Sequence, residues 1–256
     1  STHRYTLFPY TTLFRSNNEV GTVQDVAAIA AEAHAHGIPM HTDAVQAVGH
    51  LPVDFAASGV DLLTLTGHKV GGPIGSGALL LRREVEVVPL VHGGGQERQI
   101  RSGTLDTVGV LGLSLAVERA VRHLEQEAAR LCALRDALVE GAVALGYGIR
   151  PGGVWRRGDW AGRLAGNAHL LVPGCEGDSL LYLLDAAGIE CSTGSACQAG
   201  VPQPSHVLLA MGLSEREARG ALRLTLGHSS TPGDVSAVLA ALPPAVERAR
   251  RAAGVA

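Results

Sequence analysis

The sequence is poor in aromatic residues, cysteine and lysine, and it contains no long apolar run. Phe, Trp and Tyr make up 4% of its 256 residues although the apolar fraction is 46%, a balance that suits a tightly packed α/β protein. Four cysteines in a chain of this length do not form a disulfide framework, so we expect a reducing, cytoplasmic location. No stretch approaches the roughly 18 apolar residues of a membrane span, and the start does not have the charged-then-apolar pattern of a secretory signal.

Charge is nearly balanced, with a net value of -3 and no basic stripe or acidic tail. Composition therefore indicates neither nucleic acid nor an anionic membrane as a partner. Lys69 is the only lysine, although Lys and Arg together number 21. In so arginine-rich a chain, one retained primary amine is a candidate for chemistry that a guanidinium cannot perform.

The first 16 residues differ from the rest. They hold two of the three Phe and two of the four Tyr, and they show no clear period. We interpret residues 1–16 as a non-native leader and leave them out of the fold prediction. A genuine but irregular N-terminal arm is the alternative.

Helix and strand patterns alternate from residue 17 onward. An amphipathic helix at 23–37 precedes short apolar strands at 38–44, 60–68 and 77–83, which predicts a parallel-rich sheet covered on both faces. A helical tract at 106–146 follows. The later elements are a strand at 166–174, a helix at 177–187, a strand at 188–192, a short helix from 204, a capping box at 214–217, a strand at 221–227 and a helix from 231. We predict a partial large domain over 17–112, and bridging helices with a small domain over 113–256.

Polar residues follow two of the predicted strands. "HTDAVQ" gives Asp43 and Gln46, and "TGHK" gives Thr66, His68 and Lys69. We expect these side chains to converge, because ligands of doubly wound sheets bind beyond the carboxyl ends of the strands. An amine forms a Schiff base with a carbonyl, and a lysine beside a carboxylate that holds a pyridine nitrogen is typical of pyridoxal phosphate enzymes. A solvated lysine at a strand end gives the same local pattern.

Six stretches together resemble the cysteine desulfurase family of class V aminotransferase-fold enzymes, from residue 17 to near the C-terminus. They are "NNEVGTVQ", "HTDAVQAVGHLPVD", "TGHKVGGPIGSGALL", "HGGGQERQIRSGT", "STGSAC" and "LRLTLG". The resemblance implies an α/β fold: part of the mixed, mostly parallel sheet domain of fold type I pyridoxal phosphate enzymes, plus a smaller C-terminal α/β domain. It also implies a homodimer that uses pyridoxal 5'-phosphate to convert L-cysteine to L-alanine. The sulfur would pass to an acceptor such as an iron–sulfur scaffold protein or a tRNA-thiolating enzyme.

The resemblance also implies roles for individual residues, and it implies no metal site. Lys69 is the Schiff-base lysine and moves protons, Asp43 pairs with the pyridine nitrogen, and Cys197 is the nucleophile that becomes a persulfide. By the same resemblance, Gln46 and Asn18 lie near the ring oxygen and the substrate, and Thr66 and His68 bind the cofactor phosphate. Thr104 reaches the phosphate of the neighbouring subunit, and Arg223 binds the substrate carboxylate.

The remaining cysteines, glycine-rich stretches and histidines give weaker indications of function. The cysteines Cys132, Cys175 and Cys191 are interpreted as packed thiols. "HGGG" at 92–95 has no accompanying G-x-S-x-G, and "GGPIGSG" lacks the Lys-Ser/Thr of a phosphate-binding loop. The histidines His34, His36 and His41 straddle a helix end and the next strand, so we expect local hydrogen bonds rather than a metal site.

Two alternatives to a cysteine desulfurase stay open. One is another enzyme of the same fold, such as a transaminase or a selenocysteine lyase. The other is an inactive, truncated fragment, because the N-terminal third of the family, with its ring-stacking His and a phosphate-binding Gly-Thr pair, has no counterpart here. We expect this chain to bind the cofactor weakly or not at all, and its full-length parent to be active.

Overall fold

The computed structural model describes residues 11–194 and 204–254. The chain divides into two compact units, of which unit 1 comprises Ser1–Ser16 and Gln24–Leu124, and unit 2 comprises Asn17–Val23 and Glu125–Ala256. No helix within the described ranges combines the length and the apolar character needed to cross a bilayer.

Unit 1 is built on a four-stranded sheet of order β1-β2-β3-β4. The first three strands are parallel, and β4 runs antiparallel to β3. The strands are β1 (Thr11–Phe14), β2 (Met40–Asp43), β3 (Leu62–Thr66) and β4 (Gly77–Leu81), and the helices are α1 (Val26–Ala35) and α2 (Thr107–Arg122). Two 3₁₀ turns, Gly67–Lys69 and Glu97–Gln99, complete it.

Local sequence explains how α1 begins, ends and packs. The side chain of Asp25 accepts the N–H of Ala28 at 3.1 Å, which caps the first turn. Gly37, at φ +69°, follows the last turn in the left-handed conformation that favours glycine. Val26, Ala30 and Ala33 are buried at helical spacing, so one face of α1 is covered by its own unit.

Unit 2 has an antiparallel sheet of order β5-β6-β7 with helices around it. The strands are β5 (Arg150–Pro151), β6 (Asn167–Leu171) and β7 (Ala221–Thr225), and the helices are α3 (Leu124–Ala144), α4 (Gly177–Asp185), α5 (His206–Ala210), α6 (Glu215–Arg219) and α7 (Pro232–Ala252). All five residues of β6 are buried. The core joins the sheet to the long helices through Leu138, Leu170, Leu180, Leu222 and Leu242.

The predicted α/β class and mixed, mostly parallel sheet are confirmed, and most elements lie where the sequence predicts them. The predicted strand at 188–192 is wrong, because only one isolated bridge, Ser192 with Arg223, forms there. Thr11–Phe14 pairs with β2, although the sequence prediction left residues 1–16 out of the fold. The interpretation of that segment as a non-native leader stays a prediction. The longer segment of unit 2 begins at Glu125, and the predicted domain boundaries at residues 16 and 112 stay predictions.

Candidate active site

Asp43 and the lysine turn lie at the same edge of the unit 1 sheet. Asp43 is the last residue of β2 and stands opposite Thr64 of β3. The chain leaves β3 two residues later and forms the turn Gly67–Lys69. Because β2 and β3 are parallel, their carboxyl ends share this edge, as the sequence predicts.

The backbone of the lysine turn is closely held. Gly67 donates its N–H to the carbonyl of Ser76 at 2.9 Å, and its own carbonyl accepts from Val70 at 3.0 Å and Gly72 at 2.8 Å. A Cβ at Gly67 would lie 2.2 Å from Oγ of Ser76 and 2.8 Å from the carbonyl oxygen of Pro73. A residue with a side chain therefore does not fit at the position that begins the turn.

Thr66 and His68, the two predicted phosphate ligands, lie within hydrogen-bond distance of each other. Oγ1 of Thr66 lies 3.1 Å from Nδ1 of His68 and 3.1 Å from the carbonyl oxygen of Ser76. A hydroxyl has one proton to donate, so both contacts are made when Thr66 donates to Ser76 and Nδ1 of His68 donates to Thr66. The rest of the exposed His68 ring remains accessible to an anion.

A second histidine, which the sequence did not suggest, supports the lysine itself. Nε2 of His50 donates to the backbone carbonyl of Lys69 at 3.1 Å. The Lys69 side chain is exposed, and it has no hydrogen-bond or ion-pair partner within residues 11–194 and 204–254. The turn thus fixes the backbone of Lys69 and leaves its amine available.

Asp43 keeps one carboxylate oxygen for another partner. Oδ1 accepts the N–H of Val45 at 2.9 Å, while Oδ2 has no hydrogen bond to any described residue. Burial lowers the pKa of the neighbouring His41, and the negative charge of Asp43 opposes that shift. Gln46 lies half-buried in the turn that follows β2.

Arg223 lies on β7 of unit 2, opposite His169 of β6. Its Nη1 donates to the backbone carbonyl of Asn18 at 2.8 Å. Its Nε is buried and bonds to no atom of the described part of the chain. Burial lowers the pKa of Arg223, and the negative charge of Glu19 works in the opposite direction. Asn18 and Arg223 are therefore brought together, although the contact uses the backbone of Asn18 rather than its side chain.

Two further basic residues, Arg163 and His169, are buried in unit 2 near Arg223. Arg163 is 1% exposed, and its guanidinium donates to the carbonyls of Asn167, Gly152 and Val154. Burial lowers the pKa of Arg163 to about 10. Burial, with the charges of Arg163 and Arg223, lowers the pKa of His169 to about 4, so its imidazole is neutral at pH 7.

Two predicted site residues are not joined to these groups. Thr104 is exposed in the segment before α2, and it has no hydrogen bond among the described residues. Cys197 falls in 195–203, outside the described residues. Their roles remain predictions from the resemblance.

The other cysteines agree with their interpretation as packed thiols. Burial raises the pKa of Cys132 and Cys175, and burial with the charge of Asp185 raises the pKa of Cys191 to about 11. A thiol with a raised pKa is a poor nucleophile near neutral pH.

The histidines that suggested a metal cluster make local contacts. Nε2 of His34 lies 2.7 Å from Asp61, and Nε2 of His36 lies 3.0 Å from Glu32. In the part of the chain that the structure describes, no three His, Cys, Asp or Glu side chains are arranged to hold a metal ion.

Comparison with known proteins gives one consistent family. The family model for aminotransferase class-V matches residues 8–238. An IscS-like cysteine desulfurase from Mycobacterium tuberculosis is 58% identical over 93% of this chain and 60% of its own length. Cysteine desulfurase IscS from Methanosarcina thermophila is 43% identical over 92% of this chain and 57% of its own length. This chain therefore spans between 57% and 60% of these two curated relatives.

Solved structures agree with this comparison. A NifS-like protein from Rickettsia africae superposes with a TM-score of 0.79 and 28% identity, over 92% of this chain and 61% of that protein. A second NifS-like protein gives a TM-score of 0.78 and 33% identity, over 93% of this chain and 60% of that protein.

Proposed function

This chain belongs to the aminotransferase class-V family, and from that premise we propose that its full-length protein is a pyridoxal-phosphate-dependent cysteine desulfurase. Its substrate is L-cysteine, and its products are L-alanine and a persulfide on Cys197. The observation that carries the proposal is a single lysine, on a rigid turn at a parallel sheet edge that also carries Asp43. The names of relatives at 58% and 43% identity support the choice of L-cysteine as the substrate.

The residues at the unit 1 edge fit pyridoxal phosphate. Asp43 offers an unbonded carboxylate oxygen, which suits a protonated pyridine nitrogen. Thr66 and His68 offer polar atoms to the phosphate three residues and one residue before Lys69, and Gln46 offers an amide to the ring oxygen. When bound, the cofactor supplies an electron sink for the α-carbon of an amino acid.

The residues of the chain would divide the remaining tasks. The Lys69 amine would hold the cofactor covalently and would carry the α-proton of the substrate, which a guanidinium cannot do because it stays protonated. Arg223 binds the substrate carboxylate with its fork of N–H donors, and Asn18 lies near the substrate. Cys197 receives the sulfur of L-cysteine and passes it to an iron–sulfur scaffold protein or a tRNA-thiolating enzyme.

A homodimer is part of the proposal, because Thr104 is assigned to the phosphate of the neighbouring subunit. Unit 1 also exposes large apolar side chains. Ile74, Val88 and Leu90 are 91%, 86% and 92% exposed in the isolated chain. Exposed aliphatic side chains of this kind are available for contact with a second copy.

The test uses the full-length protein and measures alanine and sulfide released from L-cysteine in the presence of a thiol reductant. Lys69→Arg keeps the charge and removes the primary amine, so we expect it to lose activity and covalent cofactor trapping by borohydride. Activity in Lys69→Arg equal to wild type would contradict the proposal.

Cys197→Ser separates a desulfurase from a transaminase. A desulfurase loses sulfide release with this change, whereas a transaminase keeps its turnover of amino acids. Cys191→Ser is the matched control, because burial raises the pKa of that thiol to about 11 and it should take no part in the chemistry. Sulfide release that depends on Cys191 and survives Cys197→Ser would refute the assigned nucleophile.

A further inference from the structure

Glu19, in the segment "NNEVG", has a buried carboxylate with no role in the proposed reaction. It is 2% exposed. The backbone around it is fixed, because Oδ1 of Asn17 accepts the N–H groups of Glu19 and Val20 at 2.9 Å each. The carbonyl of Glu19 accepts the side-chain N–H of Asn167 at 2.9 Å. Burying a carboxylate costs free energy unless hydrogen bonds or an opposite charge stabilise it, so its partners are informative.

One partner of the Glu19 carboxylate is a serine that begins a helix. The hydroxyl of Ser205 donates to Oε2 of Glu19, and Oγ of Ser205 also accepts the N–H of Leu208 at 3.3 Å. Ser205 is the N-cap of α5 and is itself buried. The carboxylate therefore orients the hydroxyl that begins α5.

The turn that contains Glu19 also contacts Arg223, the cation assigned to the substrate carboxylate. Nη1 of Arg223 bonds to the carbonyl of Asn18, the residue before Glu19. Ser192 forms an antiparallel bridge with Arg223, in which Arg223 donates to Ser192 at 2.6 Å and accepts from it at 3.0 Å. The backbone of Arg223 is thus held by Ser192, and its guanidinium is held by the turn that contains Glu19. The charge of Glu19 is felt at Arg223, where it favours the protonated guanidinium.

We propose that Glu19 is a positioning residue, which holds the guanidinium of Arg223 and the start of α5 in one buried polar cluster. This Glu19 cluster consists of Asn18, Glu19, Asn167, Ser205 and Arg223. The inference rests on the proposed function, because it concerns the orientation in which Arg223 meets the carboxylate of L-cysteine. Without the negative charge, the half-buried guanidinium of Arg223 loses a favourable charge near it, so we expect it to turn toward solvent, away from that orientation.

The experiment compares full-length wild type, Glu19→Gln, Arg223→Ala and the double variant, with L-cysteine as substrate. Glutamine keeps the size of Glu19 and an acceptor for Ser205 but removes the charge. We expect Glu19→Gln to raise KM about tenfold, which is the effect of losing one charge-assisted contact. The value of kcat should stay within about twofold of wild type. In the Arg223→Ala background, the same change should alter kcat/KM by less than about twofold, because coupled residues are not additive.

Two further variants keep the test decisive. Glu215→Gln makes the same chemical change at an exposed carboxylate of unit 2 and should leave both constants unchanged. Ser205→Ala removes the hydroxyl that donates to Glu19, so it should raise KM by a smaller factor, and it substitutes for Glu19→Gln if that variant does not fold. A fall in kcat at unchanged KM, or effects that multiply fully in the double variant, would overturn the proposal.

Failure of the proposed function would give a different result. Wild type that releases no alanine from L-cysteine would refute the desulfurase, whatever the role of Glu19. The Glu19 cluster is then tested by urea unfolding of the same four proteins. A non-additive effect of Glu19→Gln and Arg223→Ala on the free energy of unfolding supports the cluster, and an additive effect overturns it.

Discussion

Buried cations distinguish unit 2 at the scale of single residues. Arg135 is 0% exposed and donates two hydrogen bonds to Asp136, at 3.0 Å and 2.8 Å. Arg163 is equally buried, but its guanidinium bonds to carbonyl and amide oxygens rather than to a carboxylate. Desolvation without a paired anion is the reason that the pKa of Arg163 falls to about 10.

His169 makes the stability of unit 2 sensitive to acid. Its pKa is about 4 in the folded protein, against an ordinary value of 6.5, so the unfolded chain binds a proton more readily. The full stability is therefore present above pH 6.5 and is lost progressively as the pH falls toward 4. The shift corresponds to roughly 3 kcal/mol of unfolding free energy at pH values below both pKa values.

Urea unfolding at pH 7 and pH 4.5 measures this effect. His169→Phe removes the titrating group, and neither ring nitrogen of His169 has a hydrogen-bond partner among the described residues. The variant should therefore lose less stability between the two pH values than wild type does. An equal loss in the two proteins would show that other groups cause the acid sensitivity.

The sequence predicted which polar residues share one sheet edge, but it did not predict the residues that support them. Asp43, Thr66, His68 and Lys69 could be predicted, because polar residues after two parallel strands meet at one edge. Glu19 and His50 could not be predicted as supports, although both lie in stretches that carry the family resemblance. A buried carboxylate and a histidine that bonds to a backbone carbonyl have no sequence period, and only the tertiary contacts reveal them.

The turn Gly67–Lys69 is the element on which the candidate site depends. Gly67→Ala would place a methyl group against Oγ of Ser76 and the backbone carbonyl of Pro73. The serine side chain can rotate, but the carbonyl cannot move without disturbing the turn. We expect a loss of about 1–3 kcal/mol in unfolding free energy and a fall in borohydride trapping at Lys69.

Gly227→Ala is the matched control for this change. A Cβ at Gly227 meets no atom within 4 Å, so the substitution should be nearly neutral in both measurements. Equal stability and trapping in Gly67→Ala and wild type would show that the turn tolerates a side chain.

Helix ends were predictable at the scale of elements, whereas strand pairing was not. The capping box of Ser214 and Glu217 lies at the start of α6, and that of Thr231 and Asp234 at the start of α7, because both depend on neighbours in sequence. The antiparallel direction of β4 depends on the ten-residue connection from β3, which is too short to hold a crossover helix. The segment at 188–192 has strand composition but makes only one bridge, with Arg223.

For the whole molecule, the proposed homodimer can be tested at the exposed apolar side chains of unit 1. We expect the full-length protein to sediment as a dimer at micromolar concentration. Leu90→Asp places a charge on a side chain that is 92% exposed in the isolated chain, so it should weaken the dimer if a second copy covers it. A sedimentation coefficient that matches wild type at all concentrations would place the interface elsewhere.

Val154→Asp serves as the control for the sedimentation experiment. Val154 is also an exposed apolar residue, at 65%, but it belongs to unit 2. The same charge there should leave the association of unit 1 surfaces unchanged. Dissociation caused by Val154→Asp alone would assign the contact to unit 2.

The solitary lysine gives this protein a built-in reporter. A lysine-specific endoprotease has one cleavage site in all 256 residues, directly after the turn that His50 supports. Cleavage there gives two fragments, so their rate of appearance measures how often that turn opens, and no engineered label is needed. A ligand that masks the amine should slow the cut, so digestion kinetics can report occupancy of this sheet edge before any turnover assay exists.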